Sequence, residues 1–231
     1  MDRPILRTLR TSFVDRTPRD HRDNDVDLRR RQMVCVVVVL IGAATLAWSL
    51  RIEPGSVLFY PALVALAAVW AAGAFASGRL HLGRIGLVDA RRPVGPPILI
   101  GLALVAVFLA GAFVVREIPW LADRVRDVLD YADQGSVALL VVITIVNGIA
   151  EELFFRGALY AAIPRHPVLW TTLAYGLATA ATGNIMLAFA ALFLGAVVGL
   201  QRRASGGVLA PILTHVTWSV SMLLLLPHVL G

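Results

Sequence analysis

The chain has 231 residues, 58% of them hydrophobic, and its mean hydropathy is +0.77. Soluble domains are usually about half apolar, and here the excess comes in runs of membrane-spanning length, so composition excludes an ordinary soluble domain. The net charge is +6 and all 21 basic residues are Arg. They cluster beside the hydrophobic runs, so the charge indicates membrane topology, and we expect no nucleic-acid partner.

Seven apolar runs predict an all-α fold, a polytopic transmembrane helical bundle of about seven spans. The first three have 18 to 21 residues, enough to cross a hydrocarbon core of about 30 Å. The predicted spans are residues 33–50, 57–77, 98–115, 137–163, 168–182, 185–200 and 208–226. The fifth is short, so we expect it to be tilted or wrapped by its neighbours. The all-Arg, Ala-rich composition fits a multi-pass protein of the bacterial inner membrane.

Polar and apolar stretches divide the chain into three parts. Residues 1–32 contain nine Arg and six Asp, cannot bury a core, and are predicted to form a disordered cytoplasmic tail. Residues 33–136 supply the N-terminal transmembrane helices. Within them, apolar positions of residues 116–136 recur at helical spacing and predict a short amphipathic helix on the membrane face. Residues 137–226 supply the helices with intramembrane polar residues.

The placement of arginines predicts the topology. Two predicted spans separate each of the following segments from the next: the tail, the 78–97 loop, the 164–167 turn and the 201–207 loop. Together with Arg156 they hold 17 of the 21 arginines. By the positive-inside rule, these segments share the cytoplasmic face. The N-terminus is therefore predicted inside and the C-terminus outside.

The fourth predicted span carries charges at membrane depth. The chain has only four glutamates, and two of them, Glu151 and Glu152, are adjacent in an apolar run with Arg156 four residues after the second. Charges are unfavourable at this depth, so they suggest function. A purely structural ion pair between Glu152 and Arg156 is the alternative. That alternative leaves Glu151, about 100° around the helix, without a partner.

Polar residues of three predicted spans share one layer below the cytoplasmic surface. At about 1.5 Å per residue, they lie about 10 to 18 Å deep. The residues are Glu151, Glu152 and Arg156 on the fourth span, Thr179 on the fifth, and His215 and Ser219 on the seventh. Scattered polar residues would not be expected to share a depth, so we predict that these residues converge on one site.

This layer contains the parts needed to hydrolyse an amide with activated water. A carboxylate in an apolar site can act as a general base, and Arg156 can hold Glu152 ionised. His215 and Ser219, one helical turn apart, can donate hydrogen bonds to a developing oxyanion. Two carboxylates and a histidine can also bind a metal. The chain has no HExxH and its five histidines do not otherwise cluster, so we expect no metal and no cofactor.

Three of these residues also have simpler interpretations. His215 alone can be a core histidine with satisfied hydrogen bonds. Ser219 alone would more often donate to a carbonyl of its own helix. For Thr179 we favour this simpler interpretation, in which its hydroxyl donates to a carbonyl of its own helix.

The residues resemble the CAAX prenyl endopeptidase type II family, also called CPBP, with its bacteriocin-processing and abortive-infection members. The resemblance covers residues 137–221, and the sequence AEELFFRGAL, residues 150–159, matches the first motif, EExxxR. Residues 207–215 (GVLAPILTH) resemble the third motif, HxxxN, with Ser219 in place of Asn. Residues 175–179 (YGLAT) resemble the second motif, FxxxH, with Thr179 in place of His.

The resemblance implies an intramembrane, glutamate-dependent protease. Glu151 would activate water and the second-motif residue would assist it. His215 and its partner would form the oxyanion hole, with Glu152 and Arg156 supporting the site.

Two departures from the motifs leave three functional hypotheses. Ser219 can still donate a hydrogen bond, whereas Thr179 cannot act as a base or carry a positive charge. The first hypothesis is an endopeptidase acting on a membrane-embedded or membrane-associated peptide in the lipid bilayer. The second is a non-catalytic membrane scaffold or regulator, and the third, weaker, is a proton-coupled carrier. The substrate and the oligomeric state stay open.

Overall fold

The computed structural model describes residues 4–17, 23–87, 90–133 and 136–230, and most of them are helical. The helices are α1 (Pro4–Leu9), α2 (Asp25–Ser49), α3 (Phe59–Ser77), α4 (Gly95–Val115), α5 (Pro119–Asp133), α6 (Val137–Glu152), α7 (Tyr160–Ala162), α8 (Pro167–Ala180), α9 (Ile185–Ser205), α10 (Leu209–Leu225) and α11 (Pro227–Leu230). Two π-helical stretches, Arg10–Val14 and Leu153–Leu159, follow α1 and α6. The described ranges contain no strand, only an isolated bridge between Ile85 and Arg91.

Six helical stretches of the described chain are long and apolar enough to cross a membrane. They are α2, α3, α4, the continuous stretch Val137–Ala162, α9, and Leu209–Leu230. Helix α8 has 14 residues, about 21 Å at the helical rise, and corresponds to the short fifth span of the prediction. With α8 included, the count agrees with the predicted seven, and the all-α, polytopic membrane class is confirmed.

The N-terminal segment, predicted to be a disordered tail, is partly helical within its described residues. Residues 4–14 are helical, and the segment is tied to the end of α9. The Thr17 N–H donates to the Ala204 carbonyl at 3.1 Å, and Arg203 Nη2 donates to the Phe13 carbonyl at 3.2 Å. Ordered contacts to a packed helix offset the entropy that a polar segment loses on folding. Residues 1–3 and 18–22 of the predicted tail lie outside the described part.

The first span begins at Asp25, well before residue 33. Asn24 caps the helix, since its side chain accepts a hydrogen bond from the Asp27 N–H. Arg31, which the hydropathy pattern excluded from the span, is only 2% exposed. Its guanidinium donates to Asp23 at 2.6 Å and to Ser77 Oγ at 3.2 Å. A paired, hydrogen-bonded arginine can be buried, so the helix extends through the polar sequence.

Segments that were predicted to share one side of the membrane contact each other. Thr17 Oγ1 donates to the Arg84 carbonyl at 2.8 Å, and the Arg84 N–H donates to the Ser205 carbonyl at 2.9 Å. The Val208 N–H donates to the His81 carbonyl at 2.8 Å. The tail, the loop after α3 and the loop after α9 therefore lie at one end of the bundle.

The opposite end of the bundle is held by α5, the predicted amphipathic helix. The Tyr131 hydroxyl donates to the Leu50 and Ile52 carbonyls, at 3.1 and 2.7 Å, in the loop after α2. Asn184, before α9, donates its amide to the Arg124 carbonyl at 2.6 Å. The helical assignment is confirmed, and its position on a membrane face stays a prediction.

An aromatic cluster positions the charged stretch of the fourth span. Trp70 of α3 is 1% exposed, and its ring centroid lies 5.0 Å from the centroids of both Phe154 and Phe155. Both phenylalanines are fully buried. Because they lie two and three residues after Glu152, their packing against Trp70 fixes the helical stretch that carries the glutamates.

Helices α4 and α10 approach closely at Gly101. A Cβ at this position would lie 2.8 Å from Thr217 Cβ and 2.9 Å from the Thr214 carbonyl oxygen. Thr214 Oγ1 also donates to the Pro97 carbonyl at 2.9 Å. This contact sets the rotation of α10, which carries His215.

Candidate active site

Glu152 is the centre of a buried charge cluster. Its Oε1 accepts a hydrogen bond from Arg156 Nη1 at 3.1 Å and lies 2.8 Å from His215 Nδ1. Glu152 and Arg156 are fully buried and His215 is 5% exposed. Because a carboxylate accepts hydrogen bonds, we assign the proton of this contact to Nδ1, which leaves Nε2 for other partners. The Glu152 carboxylate thus orients both the Arg156 guanidinium and the His215 imidazole.

Glu151 has a partner of its own. The Tyr175 hydroxyl of α8 donates to Glu151 Oε2 at 2.5 Å, and Glu151 is half-buried, unlike its neighbour Glu152. The other carboxylate oxygen of Glu151, Oε1, has no such contact with Tyr175. The two glutamates therefore occupy distinct environments. Glu152 is enclosed by the protein, whereas part of Glu151 is exposed.

Arg156 links the two glutamate environments. Its guanidinium carbon lies 4.9 Å from the centroid of the Tyr175 ring, a cation–π distance. A Cβ at Gly195 would lie 3.0 Å from Arg156 Nη2, so the glycine leaves room for the guanidinium. Arg202 Nε donates to the Arg156 carbonyl at 2.6 Å and so ties α9 to this stretch.

The backbone that carries Arg156 is π-helical, not α-helical. The π-helical stretch Leu153–Leu159 begins directly after Glu152. Such stretches are rare and frequently occur at functional sites. The change could not be predicted from the amino-acid sequence, because the motif has the pattern of a continuous apolar helix.

Three polar atoms buried in the cluster have no hydrogen-bond partner within the described residues. They are Glu152 Oε2, Arg156 Nε and Arg156 Nη2. Buried polar atoms in folded proteins are normally bonded, and the exceptions call for an explanation such as a catalytic role. The cluster therefore has hydrogen-bonding capacity beyond what a simple structural ion pair needs.

Two predicted site residues direct their hydroxyls elsewhere. Thr179 Oγ1 donates to the Tyr175 carbonyl at 2.9 Å, and Ser219 Oγ donates to the His215 carbonyl at 2.6 Å. Both are bonds of a helical residue to the carbonyl one turn earlier. The structure thus brings together Glu151, Glu152 and the basic groups, whereas these two hydroxyls serve their own helices.

Tyr175 is the residue that sequence reasoning missed. It was noted only as the first residue of the stretch resembling the second motif, where the family has Phe. Its one distinguishing signal is the hydroxyl, which a phenylalanine lacks and which a buried tyrosine normally bonds. Asn147, one turn before Glu151, was also unassigned. Its amide donates to the Leu63 and Ile143 carbonyls, at 3.2 and 3.1 Å, and ties α6 to α3.

An apolar cavity of about 430 Å³ lies between α4, α5, α9 and α10. Trp218 and Ser219 line it near the site, and Val125 and Leu129 of α5 line it at the far end. The Trp218 and His215 ring centroids are 6.5 Å apart. The residues of the charged cluster do not line the cavity, but Ser219, one helical turn after His215, does. The cavity therefore offers an apolar segment a place one turn from the cluster.

The described residues contain no group of three or more His, Cys, Asp or Glu side chains arranged to hold a metal ion. The cluster itself combines a hydrogen-bonded carboxylate at the edge of accessible space with a carboxylate-oriented imidazole. Together these groups can abstract a proton from water and stabilise a developing negative charge.

Comparison with known proteins finds a similarity over the part of the chain that carries these residues. Residues 133–221 match the family model described as Type II CAAX prenyl endopeptidase Rce1-like. The matched segment contains every residue of the charged cluster and leaves α1 to α4 outside it. No curated protein and no solved structure matched the chain. The chain therefore carries, over residues 133–221, a Type II CAAX prenyl endopeptidase Rce1-like domain, consistent with the CPBP family.

Proposed function

We propose that the protein is an intramembrane endopeptidase that hydrolyses a peptide bond with a water molecule activated by Glu151. The observation that carries the proposal is the pair of glutamate environments, with Glu152 bonded to Arg156 and His215, and Glu151 bonded, within the described part of the chain, to the Tyr175 hydroxyl alone. A structural ion pair would account for Glu152 and Arg156. It would not account for a second carboxylate held at the edge of accessible space.

Each group has a role in this reaction. Glu151 Oε1 accepts a proton from water as the oxygen attacks the carbonyl carbon, while Tyr175 holds the other carboxylate oxygen. In this step His215 carries a proton on each ring nitrogen: Nδ1–H donates to Glu152, which fixes the ring, and Nε2–H donates to the oxyanion of the tetrahedral intermediate. The proton on Glu151 then passes to the leaving amine. Ser219 is not needed as a donor in this scheme.

The substrate is a membrane-embedded or membrane-associated peptide. The apolar cavity beside Trp218 suits a hydrophobic segment next to the scissile bond. The polytopic bundle restricts access to molecules in or at the bilayer, and we place the protein in a bacterial inner membrane on composition and arginine distribution.

The test is cleavage of a quenched-fluorescent peptide library by the purified full-length protein in detergent. The wild type should release fluorescence, and Glu151→Gln should reduce the rate by at least about 100-fold, the lower range for general-base catalysis. Glu117→Gln is the matched control, because the Glu117 side chain is 71% exposed and bonded to Arg116. Unchanged cleavage by Glu151→Gln would refute the proposal.

A non-catalytic scaffold is the second candidate, and one observation favours it. Thr179 stands where the resembled motif has histidine, and its hydroxyl is bonded to its own helix. If that histidine is indispensable, the wild type should be silent towards every peptide. Cleavage gained by Thr179→His, in a protein that was silent before, would identify a site that has lost activity.

A further inference from the structure

A second cavity lies away from the charged cluster, between the start of α8 and the end of α9. Its volume is about 550 Å³. Three basic residues from separate parts of the chain line it: Arg16 from the N-terminal segment, His166 just before α8, and Arg203 near the end of α9. Arg16 and His166 are exposed. The mouth of this cavity is therefore positively charged.

The walls of the cavity are apolar. Val168 and Leu169 of α8 and Leu200 of α9 line it. Leu169 and the adjacent Trp170 are 54% and 53% exposed, so this face of α8 turns towards the surroundings of the bundle. Tryptophan is enriched where a membrane meets water. The cavity thus joins a basic mouth to an apolar groove, and the exposed Trp170 beside it suits a membrane interface.

A buried hydroxyl at this cavity has no partner. Thr172 lines the cavity and is 9% exposed, and its Oγ1 has no hydrogen-bond partner among the described residues. In contrast, the neighbouring Thr171 donates to the Pro167 carbonyl at 2.8 Å. No side chain caps the first turn of α8, so its positive end also faces this region. A buried polar atom without a partner calls for an explanation such as a bound ion, and the basic groups at the mouth of the cavity favour an anion.

We propose that this cavity binds an anionic phospholipid. The headgroup phosphate lies among Arg16, His166 and Arg203, within reach of the first turn of α8. An acyl chain lies along the apolar wall. A basic pocket between membrane helices recognises anionic headgroups, and the three basic residues belong to segments predicted on the cytoplasmic face, where anionic lipids attract arginine. The proposal does not depend on peptidase activity.

The test is native mass spectrometry of the full-length protein with phosphatidylglycerol and phosphatidylcholine that carry identical acyl chains. The wild type should retain phosphatidylglycerol preferentially. Arg16→Gln should lower that preference about fivefold, the contribution of one basic residue near an anionic lipid. Arg165→Gln is the matched control, because Arg165 is exposed in the same turn as His166 but does not line the cavity. Equal retention of both lipids by the wild type would overturn the proposal.

A second pair of variants tests the buried hydroxyl with little change of shape. Thr172→Val should weaken phosphatidylglycerol retention about two- to tenfold, the effect of one lost hydrogen bond. Thr172→Ser keeps the hydroxyl and should bind as the wild type does. Equal retention by the Val and Ser variants would contradict the assignment of Thr172. If Arg16→Gln does not fold, His166→Gln, at another exposed position lining the cavity, takes its place.

A competition arm separates a lipid site from a site for any small phosphate. Glycerol 3-phosphate, which has no acyl chains, should not displace phosphatidylglycerol at equal concentration. Displacement at equal concentration would show that the apolar wall contributes nothing, and the assignment to a lipid would be wrong.

Discussion

Glu151 and Glu152 are adjacent in sequence but have different partners, so their expected tasks differ. Glu152 is fully buried between a guanidinium and an imidazole, which suits an orienting group whose charge stays compensated. Glu151 is half-buried and bonded to one hydroxyl, which leaves a carboxylate oxygen for water. A helix places consecutive side chains about 100° apart, so adjacent glutamates can serve two environments at one depth.

Tyr175→Phe tests the contact that orients Glu151. Loss of a hydrogen bond to a charged group should lower kcat about 10- to 100-fold, with a smaller change in KM. The measurement is steady-state hydrolysis of a peptide selected from the library. Thr179→Val is the control, since the Thr179 hydroxyl donates only to its own helix, and it should cleave at nearly the wild-type rate. Equal effects of the two substitutions would contradict the role of Tyr175.

Arg156→Met tests the charge balance of the buried cluster. Removing one partner leaves Glu152 buried without its countercharge, which should destabilise the fold by about 3–5 kcal/mol. Thermal unfolding in detergent measures the loss. Combining Arg156→Met with Glu152→Gln should restore part of the stability, because the uncompensated charge is gone. A double variant no more stable than Arg156→Met would show that packing, not charge, sets the effect.

At the scale of elements, helix α8 shows how far the sequence could predict the site. Depth and the i, i+4 spacing predicted that Glu152, Arg156 and His215 share one site, and in the structure Glu152 contacts the other two. They could not choose between Tyr175 and Thr179, which are one turn apart on the same face. The choice depends on the tilt and rotation of a 14-residue helix packed among its neighbours. A tyrosine in an apolar run also resembles a packing residue until its hydroxyl partner is known.

Two glycines of α4 give a matched test of helix packing. Gly101→Ala would place a Cβ 2.8 Å from Thr217 Cβ, so α4 and α10 must separate, and we expect a loss of about 1–3 kcal/mol. Gly111→Ala meets no atom within 4 Å and should be neutral or slightly stabilising. Thermal unfolding of both variants checks the difference. A Gly101→Ala protein as stable as Gly111→Ala would contradict the close approach of these helices.

At the scale of the molecule, the two ends of the bundle are built from the segments that arginine placement had grouped. The N-terminal segment, the loop after α3 and the loop after α9 are joined by backbone hydrogen bonds, while α5 joins segments at the other end. Spans and their order were predictable because hydrophobic runs have membrane length. The ordered structure of residues 4–17 was not predictable, because it depends on contacts with α9, about 190 positions away in the chain.

Cysteine labelling tests the predicted orientation. In a Cys35→Ala background, Glu53→Cys places a thiol in the loop after α2 and Arg91→Cys places one in the loop after α3. Both positions are exposed. A membrane-impermeant maleimide should label Glu53→Cys in intact spheroplasts and Arg91→Cys only after lysis. The reverse pattern would mean that the N-terminus lies outside.

The most direct measurement compares wild type, Glu151→Gln and Thr179→His on one library-selected peptide in proteoliposomes, with the products identified by mass. We predict that the wild type cuts at one peptide bond, that Glu151→Gln leaves the peptide intact, and that the added histidine is not required. A silent wild type together with cleavage by Thr179→His would contradict the account, because it would mean that this chain keeps the site of a peptidase without its activity.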